Sequence, residues 1–507
     1  MAELTSFPLL SVLLALPLGG ALLTMVIRRA PWAQGIALAS ALATLGWSLL
    51  IVAAFDSTND SFQLIDSASW IAGLGIDYRV GVDGLSLFFL PATALIFCAA
   101  IVASWRVRAS SPMPLSPGLY FALLLAFETS TLGIFCALDL IVFFCFWESS
   151  LIPLYFLVSL WGIGSGRQTA AVRYFLVMLA GGVPLLFGLL MLVFGQAKGG
   201  TLVFALPTLL AGTLPEGTQY AVFLLLLIGF GVKVPLVPLH TWLPAMAMGA
   251  PAAITALLVG LKLGAYGLIR FAIPLAPLAA RDLQWLLAGL GTLAILYGGV
   301  AALVQSNLRG VLAYSSVAHV GLVILGLSTF SASGLQGALL LLLNFSLCSG
   351  SAFLALSFLH RRTGSTDIGQ LGGVIHHLPL LSGFFVFFGL AGIGLPGTLS
   401  FPAELLIIVA ALHSHTGAGL AALFGTVLAA AAVLAPFGQA FLGRPRVPEL
   451  ADAADLLPRE QAVLLVPALL TVLIGVYPKP VLDCLRPARP PGPPTRRPRR
   501  QSTPRAS

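Results

Sequence analysis

The 507-residue sequence predicts an all-α, polytopic membrane protein with about fourteen transmembrane helices. Three observations carry that expectation. Hydrophobic residues make up 58% of the chain and charged residues 9%, against about 25% charged in soluble proteins. The apolar residues gather into runs of roughly the 20 residues that a spanning helix needs, centred near positions 17, 43, 95, 125, 150, 183, 228, 261, 293, 319, 347, 390, 428 and 470. Glycine (53) and proline (34) are abundant, and membrane helices tolerate both where neighbours satisfy the freed backbone.

The first run starts at Pro8 with no basic region or small-residue cleavage site, so it reads as a retained helix and not a signal peptide. The loop after the second run, residues 56–84, is acidic, and its short alternating stretches suit a small hairpin. Arginines follow the odd-numbered runs: Arg28 and Arg29, Arg106 and Arg108, Arg167, Arg309, Arg361 and Arg362, Arg444 and Arg446. By the positive-inside rule these helices end in the cytoplasm and the N-terminus lies outside, in a bacterial inner membrane. The tail after residue 484 has seven arginines in its last 22 residues and cannot build a core, so it reads as disordered; its charge opposes the rule on that side.

Two runs are interrupted. The seventh carries Lys233, Pro235 and Pro238; the twelfth carries Pro396, Gly397 and Pro402 before Glu404. They lie five helices apart, so the fourth to eighth and ninth to thirteenth runs form two five-helix units, which an odd helix count requires to be inverted. The expected organisation is three N-terminal helices and the acidic loop (1–117), a first repeat (118–273), a second repeat (282–443), a last helix (461–484) and the tail (485–507).

The net charge of +8 does not point to nucleic acid, because most basic residues flank apolar runs or sit in the tail. Cys98, Cys136, Cys145, Cys348 and Cys484 lack metal-ligand spacing and read as free thiols, with no metal or iron–sulfur site. No nucleophile constellation or nucleotide loop is present, which argues against a stand-alone enzyme.

The chemistry lies in charges inside hydrocarbon. Two of the four lysines, Lys233 and Lys262, and three of the seven glutamates, Glu128, Glu148 and Glu404, fall in apolar runs. Each costs about 2.5–3.5 kcal/mol at mid-membrane on insertion scales, and such groups by default mark ion or proton pathways. The plainer alternative is a set of buried ion pairs that fix packing. Pro235 and Pro238 should free the carbonyls of Gly231 and Val234 beside Lys233, and Pro402 that of Thr398 near Glu404. A buried lysine changes protonation as an acidic partner approaches or withdraws, which arginine cannot do. Glu148 is the expected partner of Lys233. Gly260 and Gly264 bracket Lys262 with small-residue spacing that should turn it into the bundle. His319 is a candidate relay between Lys262 and Glu404, or a satisfied core histidine. His240 is expected to cap a helix end, Glu128 to form a packing pair, and His376, His377, His413 and His415 to be solvated.

The stretches YRVGVDGLSLFF, LDLIVFFCFWESSLIPLYFLVSLWG, GFGVKVPLVPLHTWLP, GLKLGAYGLIRF, LAYSSVAHVG, LPGTLSFPAELLI and DLLPRE resemble the antiporter-like membrane subunits of respiratory complex I. The resemblance runs from about residue 75 to 480, and the FWE..LIP block favours the chain M type. It implies two inverted repeats and a proton channel with Glu148 and Lys233 as the central switch, Lys262 at the middle and Glu404 toward the far side. It implies no cofactor on this chain; NADH, flavin, iron–sulfur clusters and quinone belong to other subunits. Its partners would be the other membrane subunits and the bilayer. Ala245, Ala247 and Gly249 replace an Asp-Ala-His-x-Glu pattern common in the family, Phe345 replaces a histidine, and Asn307 replaces an aspartate. Phe345 should interrupt the path to Glu404 unless Asn344 and water stand in. The rival readings are a subunit of a sodium/proton antiporter or ion-pumping hydrogenase, and a non-pumping spacer.

Overall fold

The structure, a computed structural model, describes residues 7–27, 29–105, 116–197, 201–444, 446 and 453–484. The expectations for Arg28, Arg106, Arg108 and the tail lie outside these residues. The chain opens with α1 (Leu9–Val26) and α2 (Ala30–Ala54), then an antiparallel hairpin, β1 (Gln63–Ile71) and β2 (Ile76–Val82). Then come α3 (Phe89–Ala103), α4 (Pro117–Cys136), α5 (Leu140–Trp161), α6 (Arg167–Gln196), α7 (Glu216–Lys233), α8 (Trp242–Gly249) and α9 (Ala252–Leu275). The remaining helices are α10 (Gln284–Leu303), α11 (Leu308–Ser328), α12 (Ala332–Thr363), α13 (Pro379–Gly392), α14 (Ser400–Ser414), α15 (Thr416–Ala440) and α16 (Pro458–Val476).

Among the described residues, eleven helical segments are long and apolar enough to cross a membrane; α3, α13 and α14 are shorter apolar helices. The about fourteen apolar runs therefore do not all become full-length spans: the third forms only the short α3, and the seventh and twelfth are cut by their own breaks. Large side chains such as Leu22, Phe187, Phe194, Phe424 and Leu473 are exposed on the outer faces, as expected where acyl chains replace water as the surroundings.

The hairpin forms in the acidic loop. Asp66 accepts hydrogen bonds from the Ser11 amide (2.7 Å) and hydroxyl (2.9 Å), which fasten the sheet to α1. Just past β2, Asp83 forms a buried ion pair with Arg270 of α9. Caps set the helix starts. Asp139 accepts from the amides of Ile141 (2.9 Å) and Val142 (3.2 Å) at the start of α5. Asn307 accepts from the Arg309 amide (3.0 Å) at the start of α11, and so does the capping that an aspartate would do there.

The breaks differ in detail from the expectation. α7 ends at Lys233, and the chain runs non-helically to α8. The Gly231 carbonyl is not free for Lys233, because the Leu236 amide takes it (3.0 Å). In the other half the break precedes Pro402. Gly394 (φ +84°) and Gly397 (φ +88°) make the turn around Pro396, and α14 starts at Ser400. Pro402 lies in the first turn of that helix, where the missing N–H has no helical acceptor to lose. The Thr398 carbonyl accepts from the Phe401 amide (3.2 Å). α9 carries a third break: Leu261 and Lys262 leave the helical region, and a π-turn follows at Leu268–Ala272. A second π-turn, Phe345–Ser349, sits in α12.

A buried chain of titratable side chains

Lys233, the last helical residue of α7, reaches α5. Its Nζ donates to Ser150 Oγ (2.8 Å) and the Trp147 carbonyl (3.2 Å), and lies 3.9 Å from the Trp147 ring centroid. α5 is irregular there, because Pro153 displaces the carbonyl four residues earlier and the helix re-forms after Ser150. Glu148 does not meet Lys233 within 4.0 Å, so the expected ion pair is open in this structure. Glu148 Oε1 is buried without a hydrogen-bond partner. The carboxyl packs on Gly182 of α6, where a Cβ would stand 2.4 Å from Oε1. Gly182→Ala should therefore move this carboxyl and leave the fold intact. We expect an unchanged amount of folded chain in membranes, measured by immunoblot.

Lys262 is 5% exposed. Its Nζ donates to Ser316 Oγ on α11 (2.8 Å) and lies 4.7 Å from the Phe345 ring centroid. Gly264 permits this placement: a Cβ there would come within 2.5 Å of the Phe230 carbonyl and 2.7 Å of the Val234 amide. The backbone of α9 thus crosses α7 directly beside Lys233, and both lysines sit at that crossing. One turn further along α11, His319 Nδ1 donates to the Ser315 carbonyl (2.7 Å). A carbonyl only accepts, so Nδ1 carries a proton and Nε2 is the ring nitrogen left to face Glu404. Nε2 faces Glu404 Oε1 at 3.8 Å, and Ser400 Oγ donates to the same oxygen (2.6 Å).

Beside Ser316, the partner of Lys262, and His319, which faces Glu404, lies a small cavity of about 30 Å³. Ser315, Ser316, His319, Asn344, Phe345 and Ser349 supply part of its wall. That volume holds about two waters, and Asn344 Oδ1 is buried with no partner, as a water-binding acceptor would be. Phe345 lines the cavity beside these groups, its ring 4.7 Å from Lys262 Nζ and 6.5 Å from the His319 ring.

Two expectations are corrected. Both carboxylate oxygens of Glu128, which is fully buried, lack a hydrogen-bond partner, so it forms no packing pair among the described residues. His240 caps no helix. It is 4% exposed, lies against the rings of Tyr297 (4.9 Å) and Tyr314 (6.2 Å), and both its ring nitrogens lack partners. Sequence reasoning also passed over Asp83, and His360 with its buried, unpartnered Nδ1. The apolar strand-end setting of Asp83 was the signal available for it. Among the described residues no cluster of His, Cys, Asp and Glu could hold a metal.

Comparison with known proteins places this geometry. A family model described as NADH:quinone oxidoreductase/Mrp antiporter, TM, matches residues 137–429. NADH-quinone oxidoreductase subunit M of Rhodobacter capsulatus is 33% identical over 95% of this chain and 95% of its own length. The chain belongs to this antiporter-like membrane family. The F(420)H(2) dehydrogenase subunit M of Methanosarcina mazei is equally similar, 33% identical over 94% of this chain and 96% of that one. A chain of respiratory complex I from Thermus thermophilus superposes with a TM-score of 0.84 at 30% identity, covering 94% of this chain and 98% of that chain. Glu148, Lys233, Lys262, His319 and Glu404 all lie inside the matched segment of this antiporter-like chain.

Proposed function

We propose that this chain is a proton-translocating membrane subunit of an NADH-quinone oxidoreductase. The single observation that carries this reading is the buried series of Lys262, Ser316, the small cavity beside them, His319 and Glu404. It joins a basic group to an acidic one through atoms that can each accept or donate a proton. Lys233 with Ser150, and Glu148 waiting beside Gly182, form the adjoining switch. When Glu148 approaches Lys233 it favours the charged lysine; when it withdraws, the proton can pass on toward Lys262. His319 takes a proton on Nε2, and a water or a small movement closes the remaining distance to Glu404.

In this reading the segments 118–273 and 282–443 are two inverted five-helix units, each with a break beside a charge. Segment 1–117 carries three further helices and segment 461–484 the last one. The N-terminus faces outward. Electron transfer from NADH to quinone occurs on other subunits, and this chain holds none of their cofactors. The similarity to an F(420)H(2) dehydrogenase subunit leaves the electron donor to the partner subunits, and a sodium/proton antiporter complex is the alternative host.

Filling the cavity tests the path. Ser316→Leu should lower proton pumping about tenfold in inverted vesicles, because it removes the bond to Lys262 and the space for water. If pumping stays at the wild-type rate, protons do not travel through the cavity. Pumping that requires sodium would favour the antiporter reading.

A further inference from the structure

Away from the buried path, residues 163–166, the first turns of α6 and the end of α8 enclose an open cleft of about 520 Å³. Ser165, Thr169, Arg173, Ala245 and Gly249 are part of its wall. Thr169 and Arg173 also line a neighbouring groove of about 550 Å³ with Val172, Leu176 and Val177. The two therefore make one depression, polar at the loop and apolar along α6. The apolar end runs on into exposed Val172, Leu176, Leu179, Val183 and Phe187, a single stripe along about 22 Å of helix.

The charge of the cleft has one sign. No Asp or Glu lines it or the groove. Arg173 is exposed and forms no ion pair with an Asp or Glu among the described residues; its electrostatic neighbour is the Tyr314 hydroxyl. Ala245 and Gly249 stand where the family pattern has Asp and Glu. A carboxylate at either position would share the cleft with Arg173 and could neutralise it. In this chain neither position carries a carboxylate, and Arg173 is the cleft's charged lining residue.

We propose that the cleft binds an anionic phospholipid. The phosphate lies against Arg173 beside the Ser165 and Thr169 hydroxyls, and an acyl chain follows the groove along α6. Free phosphate would meet the same arginine, but the apolar groove continuous with the cleft selects a lipid. Arg167 and Arg173 also lie on the side that the arginine distribution assigns to the cytoplasm, where anionic lipid is drawn to basic residues.

The test uses the assembled complex in vesicles with photoactivatable phosphatidylglycerol or phosphatidylcholine, followed by mapping of labelled peptides. Phosphatidylglycerol should label residues 163–177 about fivefold more than phosphatidylcholine, the factor one arginine contributes. The preference should vanish in Arg173→Gln and in Ala245→Asp, and excess inorganic phosphate should not remove the label. If Arg173→Gln fails to assemble, Ala245→Asp carries the comparison. Equal labelling by both lipids overturns the proposal. So does displacement by phosphate, which would make the site one for a free anion, and so does an unlabelled cleft, which would mean that a neighbouring subunit covers it.

Discussion

Replacing Lys262 with methionine should cut proton pumping by about a hundredfold, with the complex still assembled. Methionine keeps the length and apolar stem of the side chain, so the packing between Ser316 and the Phe345 ring survives. What it removes is the one group on α9 that can hand a proton to the cavity. Lys262→Arg separates carriage from structure. Arginine keeps the charge and can still bond Ser316, but it does not release its proton. A purely structural lysine would be rescued by arginine; a carrier would not. The readout is acidification of inverted vesicles set beside quinone reduction in the same preparation. Wild-type pumping in both variants would remove Lys262 from the path.

The second large effect concerns assembly. Arg270 Nη1 donates to Asp83 Oδ2 at 2.7 Å, and Nη2 meets the other carboxylate oxygen. Arg270 is 5% and Asp83 1% exposed, and Arg270 Nε also donates to the Tyr266 hydroxyl (3.0 Å). This pair binds the hairpin segment to α9, a few residues from the break at Lys262. Arg270→Ala leaves a buried carboxylate without its counter-charge, which costs about 3–5 kcal/mol. The expected result is a sharp loss of assembled subunit in membranes, measured by quantitative immunoblot after native electrophoresis. Replacing both partners, Asp83→Leu with Arg270→Met, should recover much of it, because two apolar groups leave no orphan charge. Equal losses in the single and double variants would show that the pair contributes packing and not charge compensation.

Apolar run length made the helical membrane class readable from sequence, and charges in hydrocarbon singled out Glu148, Lys233, Lys262 and Glu404 for attention. Each depends on local composition. The breaks were half readable. Proline marks a place where a helix can stop, but it is also welcome in a first turn, and Pro402 took that second role. The break at Lys262 has no proline at all. It follows from the close crossing of α9 over α7 at Gly264, a tertiary contact that no local pattern reports. The same holds for Glu148. Its chemistry was evident in FWESS, but its distance from Lys233 is set by Gly182 on a different helix. Phe345 was read as an interruption because a phenyl ring cannot carry protons. The structure places Asn344 and three serines around the same cavity, and the space between them was not encoded in any one segment.

The most direct measurement is proton translocation together with NADH-quinone turnover in membranes carrying Lys233→Ala, beside Glu148→Ala. If the buried chain is a coupled proton path, both activities fall together in each variant while the complex stays assembled. If both persist at wild-type rates, the charges at the α5 and α7 breaks are structural, and the subunit is a spacer.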